Sequence, residues 1–229
     1  MADPAPIEWV TIKTKLPRFP FPPNEQRQVI KSERLILRPF TNDDNDLKGL
    51  HALRAQPEVM TWSIQGRPDK DLDETRTKFA LQVSPMDTER YNLAICLAST
   101  GEMIGIGGCG MWNGELGWPV LGYMLLKESW GKGYATEFLK AFLEAWWALP
   151  HEEVEIKVDK NTVRGDGEIK DGCITAVTLD SNNASHGVLR KSGFEKATVW
   201  EEEDLRDATK MVTLYGWIAK DTKPGSAKQ

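Results

Sequence analysis

The sequence predicts one domain of the α/β (α+β) class, with helices flanking a mixed, mostly antiparallel sheet. Three strand-like runs, separated by turn signals, lie in mid-chain at residues 91–97, 102–112 and 119–126. A strongly periodic helix begins at residue 135, and strands then alternate with helices. A meander followed by such alternation predicts about seven strands and about four helices.

Before the meander, residues 33–40 (ERLILRPF) alternate along the chain and predict a first strand. Thr41 is the expected N-cap of the helix that follows, which has an acidic first turn. The face of this helix carries Leu47, Leu50 and Leu53. A second, more polar helix is predicted between Asp71 and Val83.

The helix from residue 135 is the most strongly indicated, because its apolar residues recur at helical spacing. They are Ala135, Phe138, Leu139, Phe142, Ala145, Trp146 and Leu149. Residues 153–172 begin with an alternating pattern and become charged and glycine-rich, which predicts an inserted hairpin or loop. Further strands are predicted at residues 173–179, 196–200 and 210–217, and a short helix at residues 184–192.

These elements place the domain at residues 32–218. Residues 1–31 are proline-rich without lasting periodicity, so we expect an extended arm that lies on the domain partly through Trp9, Phe19 and Phe21. Residues 219–229 are polar and predict a flexible tail.

Composition narrows the classes of function. The chain has 229 residues and a net charge of −5, with Lys and Arg spread along it, so it lacks the basic stripe that nucleic-acid binding requires. No apolar run approaches the roughly 20 residues of a membrane span, and prolines stand where a signal peptide has its apolar core, so we expect a soluble, cytoplasmic protein without a membrane partner. Cys96, Cys109 and Cys173 are far apart and lack metal-ligand spacing, so buried thiols and no metal are expected.

A glycine-bearing loop, WGKGYATE at residues 130–137, connects strand 119–126 to the strong helix. A strand, a loop and a helix N-terminus direct free backbone N–H groups and the positive end of the helix dipole at one point, which suits a pyrophosphate. Gly131 and Gly133 let the backbone approach phosphate oxygens closely, and Lys132 adds a positive charge. The alternative is a turn whose glycines serve geometry alone.

A second glycine pattern, GIGGCG at residues 105–110, fits the dinucleotide fingerprint GxGxxG. That fingerprint requires a helix to open at its last glycine. Here the chain continues as MWNGELGWP, a turn followed by another strand, so dinucleotide binding is disfavoured. These glycines are expected to allow close backbone approach within a strand.

The segment NNASHGVLRKSGF at residues 182–194 leaves a strand, caps a helix and ends it at a glycine followed by an aromatic residue. Together with SERLILRPFT at residues 32–41 and the loop WGKGYATE, it resembles the GNAT superfamily, and within it the branch of ribosomal-protein N-terminal acetyltransferases. The resemblance covers residues 32 to about 218. It implies the GNAT fold, with a V-shaped splay between two central strands, and acetyl-CoA as co-substrate without a metal.

The resemblance also implies a set of site residues. Exposed backbone groups of Met124, Leu125 and Leu126 would bind the pantetheine arm. Asn182 would fix the pantetheine or the strand end, and Ser185 would lie near the thiol, which makes these two the catalytic candidates. The pyrophosphate would be held by the amides of Gly131, Lys132, Gly133, Tyr134, Ala135 and Thr136.

Two positions depart from the family pattern. Trp130 stands where many relatives have Gln or Arg, so a side-chain contact to the cofactor is absent while the backbone contacts remain. Leu189 stands where many have a Tyr that protonates the leaving thiolate, which shifts this role to Ser185 or water. Trp62 is a candidate contact to the acceptor substrate. The alternative is that it only packs against other side chains.

The acceptor amine must lose a proton before it can attack, because a lysine-type amine with a pKa near ~10 is an ammonium at neutral pH. The candidate bases are Glu102, Glu115 and Asp180, among which the sequence does not choose. The acidic run at residues 201–204 is either a cation-attracting edge of the cleft or a solvated hairpin tip.

The function implied is acetyl transfer from acetyl-CoA to a primary amine by direct attack in a ternary complex. The amine belongs to a protein N-terminus, a lysine or a small molecule, and the protein is expected to be a monomer or homodimer. The alternative is a catalytically silent CoA-binding regulatory or interaction module, because no Tyr stands at position 189.

Overall fold

The computed structural model describes residues 4–221. Its helices are α1 (Asp44–Arg54), α2 (Pro57–Met60), α3 (Leu72–Phe79), α4 (Tyr134–Trp146) and α5 (Asn183–Lys191). Its strands are β1 (Trp9–Pro17), β2 (Ile30–Lys31), β3 (Leu35–Arg38), β4 (Tyr91–Leu97), β5 (Met103–Met111), β6 (Val120–Leu125), β7 (His151–Asp159), β8 (Ile169–Lys170), β9 (Cys173–Leu179), β10 (Glu195–Asp204) and β11 (Asp207–Lys220).

The main sheet has eight strands in the order β10-β11-β9-β6-β5-β4-β3-β2. Antiparallel pairing joins all neighbours except β6 and β9, which are parallel and meet only at Val120 and Thr175. The two central strands therefore diverge beyond that pair. The predicted α/β (α+β) class, with a mostly antiparallel sheet and a V-shaped splay, is confirmed.

Helix α4 fixes one side of this sheet through four fully buried side chains: Phe138, Leu139, Phe142 and Trp146. A Cβ at Gly107 would lie 2.5 Å from the Phe138 ring, so the glycine is required for helix packing. A Cβ at Gly105 would lie 2.3 Å from the backbone oxygen of Met124 on β6. These two glycines of the GxGxxG match therefore serve close packing, and strand β5 continues to Met111 where a dinucleotide fold would begin a helix.

The N-terminal segment forms more than an extended arm. Strand β1 pairs along its whole length with β7, from Trp9 opposite Asp159 to Pro17 opposite His151, and runs parallel to β8. This small sheet, β7-β1-β8, uses a period-2 pattern in which Ile12, Thr14 and Leu16 are buried and the residues between them are exposed. The expected lack of periodicity at residues 1–31 was therefore wrong for β1.

The inserted segment 153–172 was expected to form a hairpin or loop, but its strand β7 pairs with the distant β1. A second hydrophobic core joins this small sheet to the main one. Phe21 is buried and contacts the rings of Tyr91 and Trp112, as expected of an anchoring aromatic. Trp9 differs, since it is 44% exposed and lies under the ammonium of Lys157.

The last two strands are longer than predicted and form a hairpin whose turn is Leu205-Arg206. The run 201–204 therefore lies within strand β10 and not at the hairpin tip. Strand β11 extends to Lys220, two residues into the predicted tail; residues 222–229 of that tail lie outside the described part. No helix within residues 4–221 is long and apolar enough to cross a membrane.

Candidate active site

A cavity of about 570 Å³ lies where β6 and β9 diverge. Its walls come from β6, β9, the first turns of α4 and α5, the segment between α2 and α3, and the hairpin of β10 and β11. Gly131, Gly133, Asn182 and Ser185 all line it, although they are distant in sequence. Of the residues predicted for cofactor binding and for catalysis, all but Leu126 and Lys132 border this one cavity.

Helix α4 begins with free backbone donors. The first backbone hydrogen bond at its N-terminus runs from Glu137 N to Gly133 O, at 3.1 Å. Within the described chain, none of the six N–H groups of residues 131–136 donates a hydrogen bond to another residue. Gly131 and Gly133 have φ of +72° and +82°, and a Cβ at either would meet no protein atom closer than 3.4 Å. Free donors, left-handed glycines and open space together fit a pyrophosphate.

Arg34 holds this loop from the side. Its guanidinium donates to the backbone oxygen of Lys132 at 3.0 Å and pairs with Glu137 at 2.7 Å. It also lies 4.7 Å from the ring centre of Tyr134. Burial acts to raise the pKa of Glu137, but hydrogen bonds from Ser32 and Arg34 outweigh it and hold this pKa below its usual range. The sequence reasoning missed Arg34, because its partners lie about a hundred residues away.

The backbone of β6 alternates between its two neighbours. Leu126 N donates to Ile104 O at 2.8 Å, so the groups of Leu126 and Met124 face β5. Those of Tyr123 and Leu125 therefore face the gap toward β9. Trp130 folds back and donates its indole N–H to Leu125 O at 2.8 Å. Met124, Leu125 and Leu126 were expected to present free backbone groups. Those of Met124 and Leu126 instead face β5, whereas Leu125 directs its N–H at the cavity.

Asn182 caps α5, and its side-chain oxygen accepts a hydrogen bond from Ser185 N at 3.1 Å. The hydroxyl of Ser185 accepts a hydrogen bond from Tyr123 Oη at 3.2 Å, across the gap between α5 and β6. Burial raises the pKa of Tyr123, against a smaller opposite effect of the Ser185 hydrogen bond, so the phenol remains protonated. Both hydroxyls line the cavity, and Leu189 is buried in the core.

His186, next to Ser185, does not line the cavity. Its Nε2 lies 3.1 Å from Thr178 Oγ1 and 3.1 Å from Leu179 O, and its ring stacks on Tyr215. Burial lowers its pKa, which keeps the ring neutral. This histidine is only 5% exposed and is therefore a core residue.

Of the three candidate bases, only Glu115 lines the cavity; Glu102 and Asp180 are exposed elsewhere. Along β10, Glu202 and Asp204 line the cavity, whereas the alternate residues of the acidic run are exposed on the other face. A mostly exposed apolar rim completes this region: Trp62, Ile64, Met111 and Leu205. Cys109 is fully buried, and burial raises its pKa to about 12, so it remains a thiol.

A sheet that splays at its centre, with a loop of free amides leading into a helix at the splay, defines an acyl-CoA-dependent transferase. The chain belongs to the GNAT acetyltransferase family, since residues 34–195 match the family described as "Acetyltransferase (GNAT) domain". It is therefore an acetyl-CoA-dependent N-acetyltransferase. Among residues 4–221, no group of His, Cys, Asp and Glu side chains is placed to hold a metal ion.

Relatives and solved structures agree with this assignment. The chain is 27% identical over 134 residues to the uncharacterized N-acetyltransferase p20 of Bacillus licheniformis, covering 58% of this chain and 74% of that protein. A GNAT-family acetyltransferase from Bacillus anthracis superposes with a TM-score of 0.63 at 18% identity, covering 86% of this chain and all of the other. The spermidine N-acetyltransferase of Vibrio cholerae, in complex with CoA and spermine, gives 0.62 at 16% identity, covering 84% and 98%.

Proposed function

We propose that this enzyme transfers the acetyl group directly to a cationic primary amine within a ternary complex. The observation that carries this proposal is the single cavity that joins the free amides of residues 131–136 to the carboxylates of Glu115 and Glu202. The first group is suited to the phosphates of acetyl-CoA, and the second to a positive charge on the acceptor.

Each part of the cavity has a chemical task in this proposal. The amides of residues 131–136 hold the pyrophosphate, and the backbone of Tyr123 and Leu125 faces the pantetheine arm. Acetyl-CoA supplies the thioester that the amine attacks. Ser185, which accepts a hydrogen bond from Tyr123, has its own O–H free to protonate the leaving sulfur. Asn182 orients Ser185 by capping α5.

The acceptor side favours an amine attached to an apolar or peptide-like group. Trp62, Ile64 and Leu205 line the cavity with exposed apolar surface, and Glu115 and Glu202 line the same cavity. A protein N-terminus fits this combination and agrees with the resemblance to ribosomal-protein N-terminal acetyltransferases. A polyamine fits the carboxylates, and the spermidine N-acetyltransferase of Vibrio cholerae was solved in complex with spermine, a polyamine.

The cofactor half of the proposal is tested by Gly133→Glu, measured by calorimetry with acetyl-CoA. The new carboxylate would occupy the space between the free amides and face the pyrophosphate, so binding should be lost. Gly101→Glu is the matched control, because Gly101 also has a positive φ, of +76°, and open surroundings, but lies in the turn between β4 and β5. Both variants carry similar backbone strain, of about 1 to 3 kcal/mol, and only the first should lose acetyl-CoA.

The acceptor half is tested by measuring CoA release with a panel of amines: a peptide with a free N-terminus, an N-blocked peptide containing lysine, and spermidine. We expect turnover with at least one cationic amine and a preference for the peptide N-terminus. A wild-type protein that binds acetyl-CoA but releases no CoA with any of them would contradict the proposed acceptor class. One that binds no acyl-CoA at millimolar concentration would contradict the whole proposal.

A further inference from the structure

We infer that Glu115 is the carboxylate that receives the proton of the acceptor amine, and that the small sheet β7-β1-β8 positions it. This inference rests on the proposed amine acetylation and adds a residue and a structural role to it. It also assigns a structural role to the N-terminal strand β1 and to strand β7 of the inserted segment, which pairs with it.

The first observation is an unpaired oxygen. Glu115 Oε2 is buried and has no hydrogen-bond partner within residues 4–221, although the side chain lines the cavity. A buried polar atom without a partner destabilises the fold, and more so when the group is charged. The other buried side-chain atoms without a partner in the described residues lie outside the cavity lining: Asn24 Oδ1, Arg90 Nε, Trp146 Nε1 and Asp159 Oδ2. Glu115 is thus ready to accept from a cationic donor that enters the cavity.

The neighbouring carboxylates of the cavity already have partners. Glu202 accepts a hydrogen bond from the indole of Trp200 at 3.0 Å. Asp204 pairs with Arg206 at 2.7 Å, and this arginine also donates to Thr61 O at 3.2 Å. The charged side chains that share the cavity lining with Glu115 are Lys191, Glu202, Asp204 and Arg206. None of them forms an ion pair or hydrogen bond with Glu115 in the described structure.

The second observation is the rigidity of the turn that carries Glu115. Its neighbours Leu116 and Trp118 are fully buried in the second core, where Leu116 packs with Trp200 and Leu214. Glu115 thus lines the cavity from a turn whose neighbouring residues belong to the same core as Trp200 of β10 and Leu214 of β11. A side chain in a fixed turn loses little freedom when a ligand binds, which favours precise proton transfer.

The small sheet supplies the contacts that fix this turn. Asp159 N donates to Leu116 O at 3.1 Å, and Trp118 donates its indole N–H to Thr162 Oγ1 at 2.7 Å. Gly117 has φ of +81°, and a Cβ there would lie 2.0 Å from the backbone oxygen of Lys157. Strand β7 and the turn after it therefore touch three successive residues of the Glu115 turn, and β1 holds β7 in place.

The proposed step conserves atoms and charge. The acceptor enters as an ammonium and passes one proton to Glu115, which frees the nitrogen lone pair to attack the thioester carbonyl carbon. A C–N bond forms, the C–S bond breaks, and sulfur leaves with its electron pair and takes a proton through Ser185. The second proton lost by nitrogen restores that hydroxyl through solvent. The products are an acetamide, a free thiol and one proton, which Glu115 releases to water.

The test is Glu115→Gln, which keeps the size of the side chain and removes its ability to accept a proton. At pH 7 we expect kcat/KM for the amine to fall at least about 100-fold, as positioned proton acceptors typically contribute. The loss should shrink as the pH rises toward the pKa of the amine, because the acceptor then arrives already deprotonated. Affinity for acetyl-CoA should be unchanged, and Glu115→Asp should recover part of the activity.

Glu102→Gln is the control, since this exposed carboxylate precedes β5 and lies outside the cavity. Unchanged kinetics in Glu115→Gln at every pH would overturn the inference. So would a pH-dependent loss of the same size in Glu202→Gln alone, which would assign the proton to Glu202. Absence of turnover in the wild type would instead reject the proposed function on which the inference rests.

Discussion

The paired hydroxyls of Tyr123 and Ser185 show how a strand residue and a helix residue can act as one unit. Ser185 Oγ accepts from the phenol, so its own hydrogen is free for a third group. Because burial keeps Tyr123 protonated, the pair retains both hydrogens across the neutral range. This arrangement is suited to the proposed delivery of a proton to the leaving sulfur.

Replacing Ser185 with alanine should lower kcat by about 100-fold and leave KM for acetyl-CoA nearly unchanged, because proton delivery matters only as the C–S bond breaks. Tyr123→Phe should lower kcat less, and the double variant should be no slower than Ser185→Ala, since coupled groups are not additive. Steady-state kinetics and a double-mutant cycle measure both effects.

Ser192→Ala is the matched control in the same helix, because that serine donates to Val188 O at 2.9 Å at the far end of α5. It should behave as the wild type in turnover. If Ser185→Ala has normal kcat and only reduced thermal stability, the serine is a structural residue of α5, and water delivers the proton.

Contacts between neighbouring residues could be predicted from the sequence, whereas contacts between distant residues could not. Asn182 and Ser185 could be named as candidates because they stand three positions apart in a recognisable segment, and the cap geometry between them is local. Tyr123 lies 62 positions from Ser185, so their contact depends on how far β6 and β9 diverge. Glu115 was one of three candidates, and only the packing of Leu116 and Trp118 separates it from the other two.

At the scale of elements, Arg34, which precedes strand β3, is linked to helix α4 and to the loop of residues 130–133. The backbone N–H of Arg34 donates to Glu137 Oε1 at 2.7 Å, and its guanidinium binds both Glu137 and the oxygen of Lys132. The Lys132 carbonyl is thereby held by Arg34, while the amides of residues 131–136 have no partner within the described chain. The guanidinium also adds a positive charge beside the proposed pyrophosphate site.

Arg34→Met should therefore weaken acetyl-CoA binding by about tenfold, equivalent to about 1.4 kcal/mol, mostly by loosening the loop. Calorimetry gives the affinity, and the effect should decrease at high salt because the pair is partly exposed. Arg67→Met is the control, since Arg67 forms a similarly exposed pair with Glu74 outside the loop. Equal affinity in the two variants would mean that Arg34 does not position the loop.

The elements themselves were predicted well wherever local pattern decides them. Strands β4 and β9 have the predicted bounds, and α4 begins within one residue of its predicted start. Strand β1 was missed although TIKTKL alternates, because its partner β7 lies more than a hundred residues away and no turn signal connects them. Long-range pairing of this kind follows from the completed core and not from a short window of sequence.

At the scale of the whole molecule, two hydrophobic cores stabilise different elements. The larger one packs α1 and α4 against the main sheet and so supports the helix that follows the loop of residues 130–133. The smaller one joins β1 and β7 to the Glu115 turn and to β10 and β11. The proposed cofactor side and the proposed acceptor side of the cavity are thus stabilised by different parts of the chain, so damage to one should leave the other intact.

Thr162→Val tests this division, because it removes the hydroxyl that accepts the Trp118 indole N–H at 2.7 Å. Leaving this buried donor unpaired should cost about 1 to 3 kcal/mol of unfolding free energy and lower the melting temperature. If the small sheet positions Glu115, kcat/KM for the amine should also fall, while the calorimetric affinity for acetyl-CoA stays unchanged.

The matched control is Thr14→Val in the same sheet. Thr14 is equally buried, and its hydroxyl donates to Lys170 O at 3.0 Å, within the contact between β1 and β8 and away from the Glu115 turn. Its loss should destabilise the fold to a similar degree without changing amine kinetics. If both variants lose amine turnover in proportion to their stability, the small sheet supports the fold in general. If only Thr162→Val loses turnover, the sheet positions the Glu115 turn, because the hydroxyl of Thr162 contacts the Trp118 indole and Asp159 O, whereas that of Thr14 contacts Lys170 O.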